Sequence, residues 1–222
     1  MKRTVLHYSL SMVLLIVALS TSAEAISKRK LRPSLKQRSH VELRFGVQDH
    51  TNIDNDYYYY DGFVTRRNNN DLIVSFGYNY FVDDQTAFSV ALKVLAADDE
   101  SGVDAIGVYD AEYCVVPIFF AFRHYLGQRR SPSPVRPYVT IMGGPVIGSE
   151  KFTVISNEIY EFDNTYTAAG AHFGGGIDFI AGRHFTFGLN AGYNLLSDFS
   201  EPVGGHVNYS GAEFGIGFGY LF

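Results

Sequence analysis

The chain has 222 residues, of which 46% are hydrophobic and 15% aromatic, with 22 glycines and only 18% charged residues. That is long enough for one domain with a sizeable core, yet it is poorer in charge than the roughly 25% usual for soluble domains. Beyond the N-terminus no stretch is long and apolar enough for a membrane-spanning helix. Strands that alternate an aromatic outer face with a small-residue inner face account for this imbalance.

In chain order, the first element is an export signal. Met1, Lys2 and Arg3 are positive or initiating, Leu10 to Leu19 is a short apolar run, and Ala23-Glu24-Ala25 fits a small-x-small cleavage site. Residues 1–25 are therefore expected to be a cleaved signal peptide, the run being too short for a bilayer-spanning helix. Residues 26–38 follow as a flexible basic lead containing Lys28, Arg29, Lys30, Arg32, Lys36 and Arg38. The whole chain carries −5; without Lys2, Arg3 and Glu24 it carries −6, and without the six positive side chains of the lead, residues 39–222 carry −12. A basic lead on an acidic body suits anionic headgroups or periplasmic polymers, and the export signal argues against nucleic acid.

Residues 39–222 read as strands of period two. Val41, Leu43, Phe45 and Val47 form one face of the first. Leu72, Val74, Phe76, Tyr78 and Tyr80 form that of the second, and Phe88, Val90, Leu92 and Val94 that of the third. The fourth carries Val116, Ile118, Phe120 and Phe122 on one face; Pro117 on the other lacks a backbone donor and predicts a bulge or irregular pairing. A fifth strand near Arg136 to Ile147 has strand composition, but its faces are not assigned. The sixth alternates Phe173, Ile177 and Phe179 with His172, Gly174, Gly176 and Asp178, and the seventh sets Phe185, Phe187, Leu189, Ala191, Tyr193 and Leu195 against Thr186, Gly188, Asn190, Gly192 and Asn194.

The eighth places Phe214, Ile216, Phe218, Tyr220 and Phe222 on one face and Glu213, Gly215, Gly217, Gly219 and Leu221 on the other. A water-soluble sandwich shows polar residues on its outer face, whereas a mostly glycine face suits a narrow, crowded lumen. The expected fold is all-β, an eight-stranded antiparallel transmembrane β-barrel. Short turns at Val82 to Thr86 and Ile180 to His184 alternate with longer polar loops, roughly Asp49 to Asn70, Ala96 to Asp110, Ser149 to Thr165 and Ser197 to Asn208. Only Gly127 to Val135 is a longer turn where a short one belongs.

The terminal Phe222, preceded by aromatics at alternate positions from Phe214, resembles the C-terminal signal of bacterial outer-membrane barrels. Arg136-Pro137-Tyr138-Val139 and the stretch His172 to Phe179 are similar to strands of the OmpA, OmpX and OmpW group. The resemblance covers residues 39–222. It implies the outer membrane as location, insertion by the barrel-assembly machinery with Phe218, Tyr220 and Phe222 as the assembly signal, outer-membrane lipid and lipopolysaccharide as surroundings, and a monomer. For activity it implies little, because fold does not fix function.

Charges inside a membrane barrel must meet opposite charges. Glu42, Arg44, Lys93, Arg123 and Glu213 are the candidate lumen network, and the closing seam between first and eighth strands suggests an Arg44–Glu213 pair. These residues would form a polar plug that stops all but water or small ions. The expected role is non-enzymatic: structural, surface-binding or a narrow channel. An OmpW-like passage for small hydrophobic molecules is the main alternative, and a lipid A-modifying enzyme a further one. For the last, His206-Val207-Asn208-Tyr209-Ser210 has the wrong spacing for the His-x-Ser-Asn segment of the deacylase group. Tyr57, Tyr58, Tyr59 and Tyr60 in the first loop are candidate surface contacts. Asp98, Asp99, Glu100 and Asp104 lack the glycine and ligand order of a calcium loop, so no metal is expected. Cys114, the lone cysteine, forms no disulfide and reads as a packed side chain, and Gly215-x-Gly217-x-Gly219 has no following helix to make a nucleotide site. No cofactor is expected.

Overall fold

The computed structural model describes residues 34–50, 58–60, 63–65, 70–103, 108–127, 134–155 and 159–222. The expected signal peptide, Lys28 to Arg32 of the basic lead, Tyr57 and Asp104 lie outside the described residues. The described residues form eleven strands, β1 (Ser39–His50), β2 (Tyr58–Tyr60), β3 (Phe63–Thr65), β4 (Asn70–Phe81), β5 (Thr86–Val94), β6 (Ala96–Val103), β7 (Val108–Tyr125), β8 (Val135–Ile155), β9 (Ile159–Ala181), β10 (Phe185–Leu196) and β11 (Gly211–Leu221). Tyr58 to Tyr60, expected as loop contacts, form β2 and pair with β3 in a small separate hairpin.

The other strands run in the order β5-β4-β1-β11-β10-β9-β8-β7-β6, and β5 also pairs with β7, which closes the sheet. Because β5 and β6 are two halves of one wall, the result is a closed eight-stranded antiparallel barrel. The closing seam sets Leu43 against Phe218 and Gln48 against Glu213. Backbone bonds between Ser39 and Phe222 extend it, each N–H donating to the other's carbonyl at 3.0 and 2.9 Å.

The alternation read from the sequence falls outward as apolar and inward as small or polar. Phe45, Phe76, Phe88, Phe120, Phe173, Phe185 and Phe218 are all exposed on the outer surface. On the fifth wall, unassigned from sequence, Val139 and Ile141 face out while Arg136, Tyr138, Thr140 and Met142 are buried inside. Its alternation is obscured because two inward residues, Tyr138 and Met142, are as apolar as the outward ones.

Pro117 marks a local irregularity, and the extra residue sits on its neighbour. Leu92 pairs with Ile118, but Ala96 pairs with Val115, so four steps along β5 and β6 match three along β7. The wall bulges there, and Leu95 restores the pairing by donating to the Val115 carbonyl at 2.9 Å. On the other side the ladder to β8 passes from Pro117 opposite Val146 to Phe120 opposite Gly143, leaving Ile118 and Phe119 outside it. Pro117 has no N–H to give a neighbour.

Two expected loops are strands instead. Polar composition predicts loops over Ala96 to Asp110 and Ser149 to Thr165, yet their described residues pair, in β6 and the upper halves of β7, β8 and β9. They make a four-stranded sheet beyond the apolar band. Once outside lipid, the outward face turns polar, and the hydrophobic signal that marks a membrane strand is lost while the pairing persists.

Part of the basic lead also differs from expectation. The Ser34 hydroxyl and the Leu35 N–H both donate to Asp84 Oδ1 at 2.6 Å, and Leu35 is buried among Phe81, Ala87, Tyr125, Tyr138, Ile180 and Leu221. The residues from Ser34 onward therefore cap the short-turn end of the barrel. The apolar side chain of Leu35 fits this end because inward Phe81 and Leu221 leave it without polar partners.

Candidate functional site

The lumen is filled in layers, and each layer follows from which inward positions the register brings to one height. Directly above the Leu35 cap, Glu42 of β1 accepts Arg123 Nη2 at 2.6 Å and Nη1 at 3.1 Å, and also accepts Arg44 Nη2 at 2.9 Å. Arg123 lies 3.8 Å from Asp178, whose Oδ2 accepts the Tyr125 hydroxyl at 2.6 Å. The Arg123 guanidinium stacks 4.6 Å from the Tyr138 ring centre. Two cations thus meet two carboxylates, and aromatic faces seal them from below.

The next layer is built on β5, β10 and β11. Lys93 Nζ donates to Glu213 Oε2 at 2.6 Å and to Asn194 Oδ1 at 3.3 Å. Glu213 further accepts Asn194 Nδ2 at 2.9 Å and Asn190 Nδ2 at 3.2 Å. His172 Nδ1 lies 2.9 Å from Asn194 Oδ1, and Asn194 also donates to Gln48 Oε1 at 2.5 Å. A carboxylate with a cation and two amide donors is a fully partnered buried charge.

The candidate network is therefore assembled as two clusters, Glu42–Arg44–Arg123 and Lys93–Glu213. The Arg44–Glu213 pair suggested from the seam does not form. Gln48, not Arg44, stands opposite Glu213, and four residues of strand are about 13 Å. Arg44 lies instead over Gly217, where a Cβ would come within 3.0 Å of its Cγ, and Glu42 lies over Gly77, where one would come within 2.9 Å. The inward glycines leave the room in which long charged side chains lie flat.

Asp178, Gln48, Asn190, Asn194 and His172 belong to these clusters and were absent from the candidate set. Their signal in the sequence is a polar residue at an inward strand position. The partner of each is a matter of height along the barrel, which one strand does not reveal.

Above the second layer the lumen turns apolar: Ile73, Leu95, Val115, Phe119, Met142, Val146 and Leu196 cluster there with Phe199, Val203 and Tyr209. The last three come from the 197–210 connection, which folds into the barrel mouth. The Tyr209 hydroxyl donates to the Val203 carbonyl at 2.5 Å, and a tight turn with Gly204 and Gly205 at φ of 52° and 81° brings Val203 back against His206. In the segment weighed for catalysis, the Ser210 hydroxyl donates to the Leu196 carbonyl and accepts its N–H at 2.9 Å, while His206 lies edge-on to Tyr209. Cys114 is half-buried on β7. Among the described residues no group of three or more His, Cys, Asp or Glu is placed to hold a metal ion.

Comparison with known proteins bears on the architecture. The fold is similar to Neisserial surface protein A, at 11% identity and a TM-score of 0.50 over 86% of this chain and 100% of that one. It is also similar to Ail of Yersinia pestis, solved with the heparin analogue sucrose octasulfate, at 14% identity and 0.49 over 84% and 99%. OprG from Pseudomonas aeruginosa matches at 16% identity and 0.46 over 84% and 96%. No curated protein matches the chain in sequence. The model of the outer membrane protein beta-barrel domain matches residues 11–222, and the chain, a closed barrel with a lipid-facing aromatic surface, belongs to this family and to the bacterial outer membrane.

Proposed function

We propose that this protein is a non-enzymatic, monomeric barrel whose lumen is a plug and whose role is structural and surface-binding: the barrel anchors the external sheet of β6 to β9. The observation that carries this reading is the burial of Arg123 and Lys93, 1% and 2% exposed, each locked by carboxylates between apolar layers above and below. Water and ions need a polar path, and the apolar layers that include Phe119 and Val146 above and Leu35 and Phe81 below work against one. The apolar upper lumen is filled by Leu95, Phe119 and the inserted Phe199 and Val203, which favours a plug over passage of small hydrophobic molecules. The lipid-facing Phe218, Tyr220 and Phe222 support entry through the barrel-assembly machinery and a resting place among lipid and lipopolysaccharide.

Planar-bilayer recording tests the plug. The wild-type protein is expected to add no unitary steps, and Arg44→Ala with Lys93→Ala to introduce small ones. Steady wild-type conductance, or variants indistinguishable from wild type, would overturn it.

A further inference from the structure

We propose that the outer edge of β9 above the membrane, Glu161 to Thr167, binds an extended basic segment of another protein as an added strand. The inference rests on the reading of the barrel as an anchor for its external sheet, and it names the partner's chemistry.

The edge is defined by where β10 stops. From Ala181 to Gly170, β9 pairs with β10, and Leu196 is the last partner. One further contact closes the ladder: Ser197 N–H donates to the Ala169 carbonyl at 2.8 Å, and Ala169 N–H donates to Ser197 Oγ at 3.0 Å. The chain then turns into the mouth. Along the remainder of β9, pairing with β8 continues to Ile155 opposite Ile159, but no strand among the described residues pairs on the other side.

The Ala169 contacts decide which groups are available. Ala169 directs both its N–H and its carbonyl to this edge, and in a β-strand alternate residues direct theirs to the same side. Thr167, Thr165, Asp163 and Glu161 therefore present their N–H and carbonyl groups outward, a ladder of about 20 Å. These four residues are exposed, so the ladder is open to solvent. Such an edge is a template for another strand.

Charge identifies the occupant. Register places Glu112, Lys151 and Asp163 in one row of a single face, with Glu161 two pairs farther out on the same face. Among the described residues of this stretch, Glu112, Glu161 and Asp163 are exposed and Lys151 is the only cation beside them. An acidic edge opposes pairing with a second copy of itself and favours lysine or arginine at alternate positions of an incoming strand. On the opposite face lie Asn164 and the half-buried Tyr166, whose hydroxyl donates to Glu201 at 3.0 Å. The residues between the basic ones would then be apolar or small.

The test uses the full-length mature protein in detergent micelles and a fluorescent decapeptide of alternating lysine and valine, with binding read by anisotropy. A control peptide of equal charge carries proline in place of two valines. Wild-type protein is expected to bind the first peptide with an affinity that falls with added salt, and the control about tenfold more weakly. Thr165→Pro removes an edge N–H that holds no bond among the described residues, and it is expected to weaken binding by about tenfold or more. Glu161→Lys with Asp163→Lys is expected to abolish it and serves as the test should the proline variant lose the heat-modifiable migration of a folded barrel. Unchanged binding in these variants, equal binding of the control peptide, or a wild-type dimer by light scattering that Thr165→Pro dissolves would overturn the proposal. Conductance is measured on the same preparations, so a leaking plug and a silent edge are told apart.

Discussion

Lys93 and Glu213 meet at 2.6 Å inside the barrel although 120 residues separate them and the walls of β4 and β1 stand between theirs. The contact crosses the lumen, and its strength comes from enclosure: Lys93 is 2% exposed and sits 5.7 Å from the Phe119 ring centre. Removing one partner leaves the other charge buried without its counter-ion, held only by neighbouring amide and imidazole groups. Lys93→Ala is expected to cost about 3–5 kcal/mol of folding stability. Lys93→Met combined with Glu213→Leu is expected to recover most of that loss. Urea titration of the vesicle-inserted barrel measures both, and a double variant weaker than either single one would refute the account.

Glu42 serves two guanidinium groups, whereas Arg44 has Glu42 as its close anion at 2.9 Å. Glu42→Ala should therefore destabilise the barrel more than Arg44→Ala, by about 1–3 kcal/mol, since it strands Arg123 with Asp178 at 3.8 Å. Comparison of unfolding midpoints at equal slope decides the order.

Neighbouring glycines on β8 should respond differently to the same methyl group. A Cβ at Gly144 would collide with the Ile118 carbonyl, a backbone atom that cannot rotate away, whereas at Gly143 the nearest atom is the Gly170 carbonyl at 3.6 Å. Gly144→Ala is expected to cost about 1–3 kcal/mol, and Gly143→Ala to lie within about 0.5 kcal/mol of wild type. Unfolding titrations of the two variants provide the check.

Phe222 is 57% exposed to lipid, while its backbone closes the seam with Ser39. Phe222→Ala keeps those backbone bonds, so the folded barrel should survive with little loss. Its assembly in cells should slow, because the terminal aromatic is the expected recognition signal. Pulse-labelling followed by heat-modifiable migration separates rate from final yield; an unchanged rate would remove Phe222 from that role.

The Tyr209 hydroxyl, bonded to the Val203 carbonyl, ties the 197–210 connection into the mouth. Tyr209→Phe should leave the barrel intact but raise protease cleavage within this connection several-fold, as local opening becomes easier. Fragment mapping by mass spectrometry reads the site directly.

The alternation of apolar and small residues was sufficient to place eight walls, to assign outward faces on all but the fifth, and to name the membrane, because the side-chain period of a strand is local and lipid demands a continuous apolar outer surface. The same signal vanishes where β7, β8 and β9 leave lipid, so Ala96 to Asp110 and Ser149 to Thr165 read as loops although their described residues are paired. It also marks Glu42, Arg44, Lys93, Arg123 and Glu213 as inward charges without revealing which of them meet. Their pairing depends on the heights set by register around a closed ring and on the glycines over which the long side chains lie. Two residues far apart in sequence become neighbours only when the last wall meets the first, and that relation is a property of the tertiary structure.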